Sequence, residues 1–204
     1  MSMEEKMKTI KELQQQFLKN TFYKGIPTCK NPMDLWIYQE IIHEVKPDVI
    51  IEIGVWQGGS TLWLADHSNA HIIAIDKTDK YFCDEIKNRE DIHLMKPPCE
   101  MGKSLKDVKG ELKDLHDSGA KIMVIDDASH ECQETLYYLR LLSPLVSVGS
   151  YYIVEDTIAP ELGYKLYPGK AVKEFMKDND EFEVDKSREK YITWNPGGYL
   201  KRVK

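Results

Sequence analysis

Residues 47–61 read Pro47-Asp-Val-Ile-Ile-Glu52-Ile-Gly54-Val-Trp56-Gln-Gly58-Gly59-Ser60-Thr61. Val49–Ile53 is a short apolar run of the kind that forms a strand buried on both faces. The glycines after it mark a tight turn, and residues 59–67 have the pattern of a helix. Strand, glycine turn and helix together open an α/β unit, and the rest of the chain repeats the alternation. Further strands are expected at His71–Ile75, Ile92–Met95, Lys121–Ile125 and Ser150–Val154, with helices near 79–88, 102–117 and 131–143 between them. A helix near 169–178 is followed by three strand-like stretches, Phe182–Asp185, Lys190–Thr193 and Gly198–Val203. Asn195-Pro-Gly-Gly198 is a turn signal between the last two. The expected fold is a mostly parallel open sheet ending in an antiparallel hairpin, with helices on both faces.

Upstream of residue 47 the chain reads differently. Residues 3–20 form a polar helix with a thin apolar stripe, Ile10, Leu13 and Phe17, suited either to the chain's own body or to a second copy in a homo-oligomer. A loop through Gly25 and Pro27 leads to a second helix, with Asn31 as N-cap and Pro32 at its first position. Lys46-Pro47 ends it. Residues 1–30 are thus expected as an N-terminal helical arm and 31–204 as the main domain.

Composition narrows the function. The 204 residues are 42% hydrophobic and 30% charged, the balance of an ordinary globular chain. Lys+Arg number 28 against 34 Asp+Glu, a net charge of −6, which disfavours nucleic-acid binding by phosphate neutralisation. No apolar run approaches the roughly 20 residues of a membrane span, and the N-terminus lacks the apolar core of a signal peptide. A soluble, cytoplasmic protein is expected. Cys29, Cys83, Cys99 and Cys132 form no C-x-x-C pair, and free thiols are expected.

In an open α/β sheet, ligands bind beyond the carboxyl ends of the strands. The turn after the first strand is not a dinucleotide fingerprint, because Trp56 stands where a glycine must admit a pyrophosphate. It is not a P-loop either, since no Lys-Ser/Thr follows. An acid before the turn and Gly58-Gly59 after it suit a ligand with a cationic amino-acid end, such as S-adenosylmethionine. Asp76, after the second strand, is placed to accept ribose hydroxyls; its other reading is a helix cap at Thr78.

Asp126-Asp127-Ala-Ser-His130 follows the fourth strand, and Glu155-Asp156 follows the fifth. Neighbouring strands would bring Asp127, Glu155 and Asp156 to one rim, where their mutual repulsion calls for a hard divalent cation such as Mg²⁺. Helix caps and solvated acids are the plainer reading. His130, three residues after Asp127, is suited to take a proton from a hydroxyl near neutral pH. His43, His67, His71, His93 and His116 receive no role.

These residues together resemble the cephalosporin hydroxylase/macrocin-type O-methyltransferases, a group of class I S-adenosylmethionine-dependent methyltransferases. The likeness runs from about Phe22 onward. It includes Asn31-Pro32-Met-Asp34-Leu-Trp36, Glu52-Ile-Gly54 with Gly58-Gly59-Ser60, Asp127-Ala-Ser-His130, Ser143-Pro-Leu-Val-Ser-Val-Gly149, Val154-Glu155-Asp156-Thr157 and Pro196-Gly-Gly-Tyr-Leu-Lys-Arg202. The resemblance implies a Rossmann-like sheet of seven strands, one antiparallel. It implies cofactor contacts from Glu52, Gly54, Gly58, Gly59, Ser60 and Asp76, beside which Trp56 and Asp126 are also expected at the cofactor, and Mg²⁺ ligands in Asp127, Glu155 and Asp156. Their separations of 28 and 29 residues resemble those in catechol-type O-methyltransferases. His130 matches the group's proposed general base. The acceptor implied is a hydroxyl of a sugar or glycosylated metabolite. The group's Gly-x-Ser after the third strand is replaced here by Lys96-Pro-Pro-Cys99-Glu100-Met-Gly102-Lys-Ser104, and the long N-terminal domain of macrocin-type enzymes is not expected. Two other readings remain: a cofactor-binding, non-catalytic partner of another enzyme, and a cofactor-free metal-dependent hydrolase.

Overall fold

A computed structural model describes residues 3–95, 114 and 116–204. The helix expected at 102–117 and the Lys96–Ser104 stretch fall largely or wholly outside them. Helix α1 (Met3–Asn20) leads into a small antiparallel pair, β1 (Phe22–Tyr23) and β2 (Ile26–Pro27). Its two-residue turn, Lys24 and Gly25, has φ of 50° and 84°, the conformation of a type I′ hairpin. The segment expected as a loop is therefore a hairpin. Helix α2 (Pro32–Val45) starts where expected: the Asn31 side chain accepts from the Met33 amide at 3.1 Å. It ends at Lys46, in the left-handed region, whose amide donates to the Ile42 carbonyl at 2.8 Å.

The main sheet holds seven strands in the order β5-β4-β3-β6-β7-β9-β8. Strands β3 (Val49–Ile53), β4 (His71–Ile75), β5 (Ile92–Met95), β6 (Ile122–Asp126) and β7 (Tyr151–Val154) run parallel. Strands β8 (Phe182–Val184) and β9 (Tyr199–Arg202) close the edge antiparallel. Helices α3 (Gly59–His67), α4 (Asp84–Lys87), α5 (Cys132–Leu142) and α6 (Pro168–Phe175) connect them. The helix expected at 79–88 is only the single turn of α4.

Alternation along the strands divides the core between two faces. Ile50, Ile72, Met123, Ile125 and Ile153 pack on one side against Ile37, Ile41 and Leu64 of α2 and α3. Ile51, Ile73, Val124, Tyr152 and Leu200 pack on the other against Leu136 and Leu139 of α5 and Val172 and Phe175 of α6. The stripe of α1 lies on the chain's own body, where Ile10 packs with Ile158, Leu162 and Trp194.

The strand expected at Lys190–Thr193 does not form; β8 pairs directly with β9 instead. Residues 190–195 spend their polar groups elsewhere. The Ile192 carbonyl accepts from Asn31 Nδ2, the Trp194 amide donates to Asp34 Oδ2, and the Thr193 hydroxyl pairs with Tyr199. A β-ladder would have to break these bonds. Among the described residues Cys29, Cys83 and Cys132 are free thiols, and no helix is long and apolar enough to cross a membrane.

Candidate active site

Register brings the site together. Ile53 of β3 pairs with Asp126 of β6, and Asp126 pairs with Val154 of β7. The first residues past those rungs are Gly54, Asp127 and Glu155, so they emerge side by side at the carboxyl edge. Gly54 has φ of 90°, and a Cβ there would lie 2.1 Å from the Asp127 carbonyl oxygen. Only glycine lets the turn cross so close to β6.

A cleft of about 250 Å³ lies along the turn, lined by Gly54, Val55, Trp56, Ser60, Asp76, Asp127, Glu134 and Tyr138 among others. Four of the expected cofactor residues therefore line it: Gly54, Trp56, Ser60 and Asp76. The Asp76 carboxylate braces the turn, since Oδ2 accepts from the Val55 and Trp56 amides at 2.8 and 2.9 Å. Its Oδ1 accepts from the Thr78 amide at 3.1 Å, but no helix begins there, since α4 starts at Asp84 behind Cys83, so the helix-cap reading does not hold. Glu52 is buried beneath the turn, where it accepts from Ser60 Oγ at 2.6 Å and Thr61 Oγ1 at 2.5 Å. Gly58 and Gly59 start α3 and are not among the lining residues. Asp126 is buried away from the cleft with Tyr152 as donor at 3.2 Å, and burial pushes its carboxyl up to about 7. Thr28, Cys29, Glu134 and Tyr138 line the cleft without having been singled out by the sequence.

The acidic rim adjoins this cleft, and Asp127 belongs to both. His130 Nε2 lies 3.6 Å from Asp127 Oδ1 and 3.5 Å from Asp156 Oδ2. One ligand atom from each of Asp127, His130 and Asp156 falls within 4.8 Å of the others. Glu155 faces a different partner. The ammonium of Lys30, on the segment between β2 and α2, donates to Glu155 Oε1 at 2.6 Å and Asp127 Oδ2 at 2.5 Å. Sequence reading missed Lys30. It stands 97 residues from Asp127 in a polar stretch, and its only signal is its place next to the N-cap Asn31.

The charges of this cluster do not balance. Asp127 and Glu155 contact one lysine whose side chain is 4% exposed, with Glu52 and Asp156 close enough to feel its charge. Burial alone would lower the Lys30 pKa, but Asp127 and Glu155 outweigh it and hold the ammonium protonated. Burial and then Asp127 push the Glu155 carboxyl well up. The same two causes, in the same order, push Asp156 to about 6. The rim is short of positive charge, and a hard divalent cation among oxygen donors meets that need.

The backbone at the rim is itself unusual. Cys29, Trp56, His130 and Asp156 all have φ between 50° and 59°, a region that non-glycine residues rarely occupy. Such strain gathers where surrounding contacts over-determine a site. The Tyr167 amide donates to the His130 carbonyl at 3.0 Å, and the Asp156 amide donates to Asn195 Oδ1 at 2.9 Å. Tyr164, from the same loop as Tyr167, packs beside Ile10 and Trp194.

Known proteins place this arrangement. The sequence profile of the family Rhamnosyl O-methyltransferase/CmcI matches residues 15–203. The rhamnosyl O-methyltransferase of Mycobacterium tuberculosis (strain ATCC 25618 / H37Rv) is 29% identical over 198 residues, covering 89% of this chain and 78% of that protein. Its counterpart from Mycobacterium leprae (strain TN) is 29% identical over 199 residues, covering 89% and 83%. Among solved structures, apo CmcI superposes with a TM-score of 0.68 at 21% identity, over 90% of this chain and 76% of that one. CmcI with Mg and SAM gives 0.67 at 22%, over 90% and 77%. Matched by the family's profile over residues 15–203, the chain belongs to the Rhamnosyl O-methyltransferase/CmcI family.

Proposed function

We propose that this chain is an S-adenosylmethionine-dependent, Mg²⁺-assisted O-methyltransferase whose acceptor is a hydroxyl of a sugar or glycosylated metabolite. The observation that carries this reading is the double membership of Asp127. It lines the glycine-turn cleft and belongs to the acid–histidine cluster, so a donor in the cleft and an acceptor at the cluster would meet there. Relatives named rhamnosyl O-methyltransferases support a saccharide as acceptor. A CmcI neighbour solved with Mg and SAM supports both cofactors.

The residues fit both groups. The turn presents its backbone to the cleft with Trp56 as a 42% exposed aromatic wall, and Asp76 fixes the turn's shape. The acidic rim, with Asp127, Glu155 and Asp156 as ligands, offers the all-oxygen, negatively charged donor set that Mg²⁺ prefers. When bound, S-adenosylmethionine supplies the methyl group and Mg²⁺ the charge that makes an acceptor hydroxyl more acidic. His130 Nε2 then takes the hydroxyl proton, and Asp127 and Asp156, 3.5–3.6 Å away, stabilise the imidazolium that results. The strained turns at Trp56, His130 and Asp156 hold the groups in position, which is a large part of such a rate.

A second reading concerns His130 alone. Its Nε2 and one oxygen each of Asp127 and Asp156 lie within metal-ligating reach of one another, while Glu155 is held by Lys30. That favours His130 as a ligand in place of Glu155.

The test is calorimetric titration of the EDTA-treated protein with S-adenosylhomocysteine, with and without Mg²⁺. Incubation with S-adenosylmethionine and rhamnosides follows, read as the mass gain of one methyl group. Micromolar binding and a metal-dependent mass gain are expected. Absence of any S-adenosylhomocysteine binding would sink the proposal, and hydrolysis of substrate without the cofactor would replace it.

A further inference from the structure

We infer that Lys30 is the resident counter-cation of the acidic rim, and that its ammonium competes with the divalent cation for Asp127 and Glu155. The inference rests on the metal reading above. Its carrier is geometric: one buried ammonium spans two carboxylates from different strands, at 2.5 Å and 2.6 Å, both expected as metal ligands.

Two consequences follow from the position. Without metal, Lys30 is what lets the buried Glu155 sit beside the partly exposed Asp127, because an unpaired buried carboxylate is strongly destabilising. A divalent cation held by the same two carboxylates would share them with the ammonium, and repulsion between like charges would weaken its binding. The lysine therefore trades metal affinity for a site that stays folded when empty.

The segment leaves Lys30 little choice of place. Asn31 caps α2 and donates from Nδ2 to the Ile192 carbonyl at 2.6 Å, and Cys29 before it holds a left-handed backbone with φ of 52°. The Thr28 amide donates to the Thr21 carbonyl at 3.0 Å. Backbone on both sides is fixed, so the ammonium can yield to a metal only by rotation of its side chain.

A lysine with a merely structural role predicts weaker metal binding when it is removed, because the ligands lose their order. Competition predicts the opposite sign. The experiment is Lys30→Met in the full chain, with calorimetric titration of MgCl₂ after EDTA treatment and thermal unfolding with and without Mg²⁺. At least tenfold tighter Mg²⁺ binding is expected. A metal-free Tm several degrees below wild type is expected too, with a larger rise on adding Mg²⁺. Lys30→Arg, which keeps the charge, should bind Mg²⁺ within a few-fold of wild type.

Equal or weaker Mg²⁺ binding by Lys30→Met, with binding to wild type measurable, overturns the competition and leaves the metal site standing. No Mg²⁺ binding by either protein overturns both. Should Lys30→Met not fold without metal, recovery of folding on adding Mg²⁺ supports the inference. Lys30→Gln, uncharged but able to hydrogen-bond, then supplies the affinity comparison, and the same tightening is required of it.

Discussion

The side chain of Asn195 holds the backbone of Asp156: Oδ1 accepts from the Asp156 amide at 2.9 Å, while Nδ2 donates to the Tyr38 hydroxyl at 3.0 Å. Asn195 is 1% exposed, so no water replaces either bond. Asp156 needs the restraint, because its φ is 57°. Asn195→Ala leaves an amide and a hydroxyl unpaired inside the protein. A stability loss of about 1–3 kcal/mol is expected, together with at least tenfold weaker Mg²⁺ binding. Denaturant unfolding and metal titration check the two separately, and intact metal binding would show that Asp156 is held by other contacts.

Gly54→Ala tests the crossing of turn and strand. The added Cβ would lie 2.1 Å from the Asp127 carbonyl oxygen at a φ of 90°. The Asp127 amide is already bonded to the Ile53 carbonyl at 2.8 Å, so neither strand can step aside cheaply. A stability loss of more than about 2 kcal/mol is expected. Loss of S-adenosylhomocysteine binding is expected with it, measured on the fraction that remains folded. A variant with wild-type affinity would show that the turn does not shape the cleft.

His130→Ala separates base from ligand. As a base, His130 contributes roughly 10²–10⁴-fold to the rate and little to metal affinity. The expected outcome is that kcat falls in that range while Mg²⁺ affinity stays within a few-fold. A large drop in Mg²⁺ affinity with partial rescue of activity at high Mg²⁺ would instead assign His130 to the metal.

Asp156 makes the metal-free protein pH-sensitive. Its carboxyl is raised from 3.8 to about 6 by burial and by Asp127. An acid that holds its proton more tightly when folded favours folding below its unfolded pKa, and that advantage is lost as pH rises through about 4 to 6. At pH 7.5 the ionised Asp156 therefore works against the metal-free fold by on the order of 2 kcal/mol. Asp156→Asn is expected to raise the Tm in EDTA at pH 7.5 and to leave it unchanged at pH 4. Added Mg²⁺ should erase the variant's advantage. A lower Tm for the variant in EDTA at pH 7.5 would mean that His130 already compensates the charge.

The parts of this structure that were legible in the sequence are those set by local pattern and sheet topology. Apolar runs located all five parallel strands within a residue; four are buried on both faces, and the edge strand β5 still carries three apolar residues in four. Knowing that β6 neighbours β7 was enough to bring Asp127 and Glu155 to one edge. Asn31 and Pro32 announced the start of α2 through capping chemistry alone. What stayed hidden depends on side chains meeting across long separations. Lys30 reaches Asp127 and Glu155 from a loop, and no periodicity marks it. Lys190–Thr193 has the composition of a strand, but Asn31 claims the Ile192 carbonyl and Asp34 the Trp194 amide just beyond it. Asp126, adjacent to Asp127 in sequence, turns to the opposite face of the sheet because successive residues alternate.

The placement of Lys30 also fixes what can be removed from this protein. Composition invites a cut at residue 30, where a polar helix and a small hairpin give way to the α/β body. That cut would take away the one lysine seated between Asp127 and Glu155, along with Thr28 and Cys29 from the cleft wall. A chain beginning at residue 31 would keep all seven strands of the sheet and still lack the ammonium of the acidic rim and part of the cleft wall. The first thirty residues thus deliver side chains to the cleft and the acidic rim from outside the sheet, and on the competition inferred above, exchanging them between relatives would retune metal affinity without touching the core.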